Sequence, residues 1–106
     1  GQTVETAKEY IRQHYAESDL SVEKLCAYLH LSSTYFSTLF KRETGTSFTA
    51  YVTTVRMEAA AEAIRSTEEK TYLIAQRCGY EDPNYFSYVF KRHFGVTPTK
   101  YRSEGK

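Results

Sequence analysis

The feature that most constrains this sequence is a segment that occurs twice, at residues 35–45 and again at residues 85–95. Both copies carry Tyr, Phe, Ser, Phe, Lys, Arg and Gly at the same seven positions. The match continues beyond the segment, with Thr49 in the first copy and Thr99 in the second. Two copies are too few for a solenoid, in which each repeat stacks between neighbours. The chain is therefore predicted to use one supersecondary unit twice.

The first copy lies in a predicted pair of helices. Ser21 is a good N-cap for a short helix, and Ser32 is a good N-cap for the next helix, Ser33–Thr44. Gly45 is a natural residue to end that second helix, because glycine readily adopts a left-handed conformation. A short helix, a brief turn and a capped second helix describe a helix-turn-helix at about residues 21–45.

The second copy predicts the same arrangement at about residues 71–95. Thr71 is interpreted as the cap of its first helix. Asp82 is interpreted as the cap of its second helix, Pro83–Phe94, whose first residue is a proline that needs no hydrogen-bond acceptor there. Gly95 ends this helix as Gly45 ends its counterpart.

A long helix is predicted between the two units, at about residues 47–65. Its apolar stripe consists of Phe48, Tyr51, Val52, Val55, Ala59, Ala63 and Ile64, and no proline or glycine interrupts it. We expect this helix to act as a rigid linker between the two helix-turn-helix units.

The remaining elements are one helix at residues 4–15 and a short last helix that begins near Thr97. The predicted fold class is all-α, with about seven helices and no strands. A length of 106 residues is typical of one domain, so residues 1–106 are expected to form a single domain. Because the chain begins at Gly1 without a methionine, we expect it to be a fragment of something longer.

The composition excludes several classes of protein. The formal net charge is only +1, so any basic surface must arise from the placement of Lys and Arg. No signal peptide or apolar run near the ~20 residues of a membrane span is present, which predicts a cytoplasmic protein without a membrane partner. The sequence shows no Ser-His-Asp order, glycine-rich phosphate loop or outstanding carboxylate pair, which argues against an enzyme.

Metal and cofactor sites are not predicted either. Cys26 and Cys78 lack the paired spacing of a zinc site and are too few for a disulfide framework, so both are interpreted as small buried core residues. The three histidines, His14, His30 and His93, have no spacing typical of metal ligands.

The repeated helices carry the chemistry that points to a function. On each helix, short polar side chains near the N-terminus and cations near the C-terminus share the face opposite the phenylalanines. Such a face suits the DNA major groove, where hydroxyl and amide groups contact base edges and Lys and Arg contact phosphates. These candidate residues are Thr34, Ser37, Thr38, Lys41 and Arg42 in the first copy and Asn84, Ser87, Tyr88, Lys91 and Arg92 in the second.

The chain resembles the DNA-binding domain of the AraC/XylS family of bacterial transcription regulators. The strongest match is in the second unit, with Ile74-Ala75, Gly79-Tyr80, Asp82-Pro83-Asn84-Tyr85-Phe86-Ser87, Phe90-Lys91, Gly95, Thr97-Pro98 and Tyr101-Arg102. Arg56, Ala60 and Ile64 resemble the family pattern in the connecting helix. The departures are conservative core changes at Cys26, Ala63, Cys78 and Tyr80.

This resemblance implies a sequence-specific DNA-binding domain whose two recognition helices enter successive major grooves of double-stranded DNA. It assigns base contacts to Thr34, Ser37, Thr38, Asn84, Ser87 and Tyr88. The opening segment Lys8-Glu9-Tyr10-Ile11 resembles family members fused behind the receiver domain of a two-component response regulator. RNA polymerase is a further candidate partner, and dimerisation would use an N-terminal domain outside this chain.

Several alternatives stay open at this stage. A helical protein-interaction module of a larger regulator is the main rival function. The Lys-Arg pairs would also suit a solvated helix end that complements the helix dipole. Tyr35 and Tyr85 fit either a phosphate contact or partial burial with a hydrated hydroxyl, and Arg56 fits either a phosphate contact or an internal ion pair.

Overall fold

The chain forms seven α-helices in the computed structural model, which describes residues 1–104. These are α1 (Gln2–His14), α2 (Val22–Leu29), α3 (Ser33–Thr44), α4 (Phe48–Ser66), α5 (Thr71–Arg77), α6 (Pro83–Phe94) and α7 (Pro98–Glu104). The described residues contain no strand, so the prediction of an all-α fold with about seven helices is confirmed. The predicted bounds of α3 and α6 are correct at both ends, whereas α1 begins before residue 4 and ends at His14.

Contacts divide the chain into two compact units, Gly1–Val55 and a second unit that begins at Arg56. Each unit has its own buried core. The core of the first unit consists of Val4, Ala7, Ile11, Leu25, Cys26, Phe36, Leu39, Phe40, Phe48 and Val52. The core of the second consists of Met57, Ala60, Ala61, Ile64, Ile74, Ala75, Cys78, Tyr80, Phe86 and Phe90.

The first helix-turn-helix is built from α2 and α3. The Ser21 hydroxyl accepts a hydrogen bond from the Lys24 N–H at 3.0 Å, and the Ser32 hydroxyl accepts one from the Tyr35 N–H at 3.1 Å. Both serines are therefore N-caps, as predicted. Between the helices, His30 takes a left-handed conformation with φ of 60°, which ends α2 and reverses the chain.

The second helix-turn-helix is built from α5 and α6. The Asp82 carboxylate accepts a hydrogen bond from the Asn84 N–H at 2.9 Å, with Pro83 at the first helical position, as predicted. The prediction that Thr71 caps α5 is wrong, because Thr71 is already the first helical residue and Lys70 holds the cap position without a side-chain bond.

The apolar stripe predicted for α4 is correct in its first half and only partly correct in its second half. Phe48 and Val52 are buried in the first core, but Ala59 and Ala63 are only half-buried. Ile64 is buried in the second core as predicted, together with Met57, Ala60 and Ala61, which the predicted stripe lacks. The predicted stripe keeps one register along the whole helix, whereas each half of α4 follows the register of its own core.

The repeat extends into the packing of the aromatic rings. Phe40 meets Tyr51 with ring centroids 5.4 Å apart at 88°, and Phe90 meets Tyr101 at 5.3 Å and 82°. Edge-to-face contacts of this kind add to the free energy gained from burial. Tyr51 and Tyr101 are fifty residues apart, as are Phe40 and Phe90, so the same aromatic contact recurs in both units.

Gly45 and Gly95 end the recognition helices with φ of 80° and 83°. A Cβ atom at either position would meet no heavy atom within 4 Å, so the backbone conformation alone requires glycine there.

We predict that Gly45→Ala and Gly95→Ala each lower the free energy of unfolding by about 1 kcal/mol, the cost of a left-handed alanine. Gly45→Asn should cost less, because asparagine tolerates this conformation better. Urea unfolding of the three variants beside wild type measures the effect. Equal stability of Gly45→Ala and wild type would contradict the conclusion that the left-handed conformation at this position requires glycine.

Candidate nucleic-acid interface

The predicted surface of α3 is exposed along its whole length. Thr34, Ser37, Thr38, Lys41 and Arg42 are all exposed, while Phe36, Leu39 and Phe40 are buried on the other side of the same helix. The helix therefore presents hydroxyl groups in its first half and cations in its last turn.

The predicted surface of α6 follows the same plan with one difference. Asn84, Tyr88, Lys91 and Arg92 are exposed, but Ser87 is half-buried and so offers less of its hydroxyl to a ligand. Phe86 and Phe90 are completely buried beneath this face. Each of the two recognition helices thus displays the candidate residues together on one side.

Among the residues that the structure describes, the four cations of these surfaces have no carboxylate partner, unlike several other basic residues. Within residues 1–104, no carboxylate forms an ion pair with Lys41, Arg42, Lys91 or Arg92. By contrast, ion pairs hold several basic residues elsewhere in the chain, among them Arg12 with Glu9, Lys24 with Asp19, Arg65 with Glu62 and Arg77 with Glu69. The unpaired cations all lie in or near the last turn of α3 or α6, where the helix dipole favours them. Both a phosphate contact and the dipole interaction are compatible with this placement.

The surface of α6 also carries a row of aromatic rings. The rings of Tyr85 and Tyr88 are stacked at 25° with centroids 6.3 Å apart, and the Arg92 guanidinium lies 5.8 Å from the centroid of Tyr88. Sequence reasoning missed this contact, although the spacing of Tyr88 and Arg92, four residues apart on a helix, is the signal that could have found it.

Arg56 contacts an aromatic ring, and the repeated tyrosines Tyr35 and Tyr85 are exposed. The Arg56 guanidinium lies 5.4 Å from the ring centroid of the buried Tyr80, a contact that neither interpretation of Arg56 had named. Burial raises the pKa of Tyr80, and the charge of Arg56 partly opposes that shift. Tyr35 and Tyr85 are 57% and 56% exposed, so most of each ring is accessible on its helix.

Within residues 1–104, no group of three His, Cys, Asp or Glu side chains is arranged to hold a metal ion. The same residues include no helix with the length and apolar character needed to cross a membrane.

The two exposed recognition surfaces on helix-turn-helix units define a DNA-binding class of protein, and comparisons with known proteins agree. The C-terminal domain of AraT, a response regulator from Geobacillus stearothermophilus, matches with a TM-score of 0.97 and 41% identity, over 98% of this chain and 86% of that one. The DNA-binding domain of AdpA, solved in complex with a target DNA, matches with a TM-score of 0.89 and 25% identity, over 95% of this chain and 90% of that one.

Sequence relatives give the family. The regulatory protein PocR of Salmonella typhimurium is 36% identical over 98 residues, which cover 92% of this chain and 32% of PocR. The family described as a helix-turn-helix domain matches residues 25–104. The chain therefore belongs to this helix-turn-helix family, of the AraC/XylS type. It spans between 12% and 34% of the length of the curated relatives it matches, and 32% of PocR.

The two cysteines lie apart from these exposed surfaces. Cys26 and Cys78 are free thiols with 3% and 4% of their surface exposed, as expected for core residues. Burial raises the pKa of both thiols, and the positive charges of Arg77 and Arg56 partly oppose this at Cys78. Because the thiolate is the reactive form, both cysteines are predicted to be chemically inert.

We predict that iodoacetamide alkylates both cysteines roughly tenfold or more slowly in the native chain than in urea, since burial disfavours the thiolate and blocks access. Mass spectrometry at about pH 8 follows the modification of each cysteine. Native labelling as fast as labelling of the unfolded chain would show that the thiols are not core residues.

Proposed function

We propose that this chain is the sequence-specific DNA-binding domain of a bacterial transcription regulator, and that α3 and α6 enter successive major grooves. The observation that carries this proposal is the repeated surface: two capped helices expose short polar groups and then unpaired cations at one register. Membership of the helix-turn-helix family and the likeness to a domain solved on DNA support it independently.

Within each helix we assign the two halves different roles. Side chains near the N-terminus of a recognition helix meet base edges, so Thr34, Ser37 and Thr38 on α3 would contact bases. On α6 this role falls to Asn84, Ser87 and Tyr88, and the Asn84 amide has the donor and acceptor pair that matches adenine.

The cations have the other role. Lys41, Arg42, Lys91 and Arg92 would bind phosphates, which supplies affinity and register without reading the sequence. A net charge of only +1 makes these four residues more important, because the chain has no general excess of positive charge to attract DNA.

The proposal extends to the longer protein of which such a domain would be part. The two compact units would act together as one DNA-binding domain, with α4 as their covalent link. The likeness to the C-terminal domain of a response regulator favours a receiver domain and a phosphorylation signal upstream. We also propose that the longer protein dimerises through that upstream part, contacts RNA polymerase and is cytoplasmic.

The division of roles within α6 gives a direct prediction. Lys91→Ala should weaken binding to all duplexes about equally and lower the salt slope of log K by roughly one, because one phosphate contact is lost. Asn84→Ala should instead cost ~1–3 kcal/mol at one base pair and relax the preference there. Binding-site selection, followed by titrations at two salt concentrations, measures both effects.

Arg12→Ala is a matched control, because Arg12 is an exposed arginine on α1 that is already paired with Glu9. It should change neither the selected motif nor the salt slope. An altered motif with Lys91→Ala and an unaltered one with Asn84→Ala would invert the assignment. A wild-type affinity that does not fall with salt would overturn DNA binding itself and favour a protein-interaction module.

A further inference from the structure

We propose that Tyr88 is a positioning residue for Arg92, whose guanidinium it holds in place for a DNA phosphate. This inference rests on the proposed function and adds a part to it. It concerns the second recognition helix alone and gives the Tyr88 ring a role separate from the base contact assigned to its hydroxyl.

The geometry of α6 carries the proposal. Arg92 lies one helical turn after Tyr88, and its guanidinium carbon is 5.8 Å from the ring centroid, within the range of a cation–π contact. The Tyr85 ring stacks on the Tyr88 ring at 25° with centroids 6.3 Å apart, and Tyr85 in turn meets the buried Tyr80 at 6.1 Å. The exposed Tyr88 ring is thus the end of a row of rings that begins in the core.

A guanidinium stacked on a ring keeps its in-plane N–H groups available. Arg presents five N–H donors at the edge of a planar group, so contact with its face leaves the edge free to bind phosphate oxygens. A free arginine side chain also loses rotamer freedom when it binds, and an arginine already held on a ring loses less. The stack should therefore raise affinity without adding any contact to the DNA.

The repeat supplies an internal comparison. Arg42 occupies on α3 the position that Arg92 occupies on α6, but Thr38 stands where Tyr88 stands. A threonine has no ring face, so the first recognition helix cannot hold its arginine in this way. Both helices therefore carry the proposed phosphate-binding cations at the same positions. They differ in that only Arg92 is held in place by a ring before DNA binds.

A double-mutant cycle tests the proposal. Wild type, Tyr88→Leu, Arg92→Ala and the double variant are titrated against a duplex of unrelated sequence, so that base contacts do not contribute. We expect Tyr88→Leu to weaken binding roughly two- to fivefold, the size of an exposed cation–π contact. In the Arg92→Ala background, Tyr88→Leu should leave the affinity for this duplex unchanged, because the guanidinium that the ring holds is absent.

Two further variants test whether the loss of affinity is due to the Tyr88 ring or to another cause. Tyr88→Phe keeps the ring and removes the hydroxyl, so it should weaken binding to the unrelated duplex less than Tyr88→Leu does. Thr38→Ala combined with Arg42→Ala should give additive losses, because that pair has no stack. Tyr88 is 57% exposed, so these changes leave the core intact, and thermal unfolding verifies this.

A readout without DNA follows from the same contact. The Arg92 side-chain protons should show upfield ring-current shifts in NMR spectra of wild type and Tyr88→Phe, and these should disappear in Tyr88→Leu. An equal loss of affinity from Tyr88→Leu with and without Arg92, or unshifted Arg92 protons in wild type, would overturn the positioning role. Absence of salt-dependent binding by wild type would overturn the proposed function as well.

Discussion

The pair of phenylalanines on each recognition helix is the interaction on which the rest of this structure depends. Phe36 and Phe40 pack with ring centroids 5.4 Å apart, Phe86 and Phe90 pack at 5.9 Å, and all four are completely buried. Each ring contributes about 1.5–3 kcal/mol by burial. Because the members of a pair are one turn apart, burying them fixes the rotation of the helix about its axis. That rotation places the polar side chains of α3 and α6 outward.

The caps then fix where each recognition helix begins and ends along its axis. Ser32 or Asp82 sets the first turn and Gly45 or Gly95 sets the last. Both repeats use this frame with the same length, so the cations fall at the same distance from the start of each helix. The surface residues between them are free to differ, and they do at Thr38 and Tyr88. A shared frame with different surfaces is how one unit, used twice, can contact two different stretches of DNA.

Local signals made much of this predictable from the sequence. The caps at Ser32 and Asp82 and the glycine ends depend on residues a few positions apart, and the structure has all of them. In its second half the predicted stripe of α4 includes the buried Ile64 but misses Met57 and Ala61, because their burial depends on packing against residues distant in sequence. The prediction that Thr71 is an N-cap was wrong, because a suitable side chain alone does not determine the residue at which a helix begins.

The candidate surface was predictable in position but not in detail. The exposed faces of α3 and α6 follow from helical spacing. The four-residue spacing of Tyr88 and Arg92 permits the contact between them, but the contact also depends on rotamers, which spacing does not determine. The half-burial of Ser87 does not follow from helical spacing either, because Ser37 at the same position of the repeat is exposed.

The central claim is that both recognition helices occupy the major groove of one duplex. Hydroxyl-radical footprinting of the duplex selected by wild type tests it most directly. Two protected windows should appear about 10 base pairs apart, one helical turn, and Lys91→Ala with Arg92→Ala should weaken protection at one window first. A single window, or loss of both windows in equal measure from changes on either helix, would contradict the account.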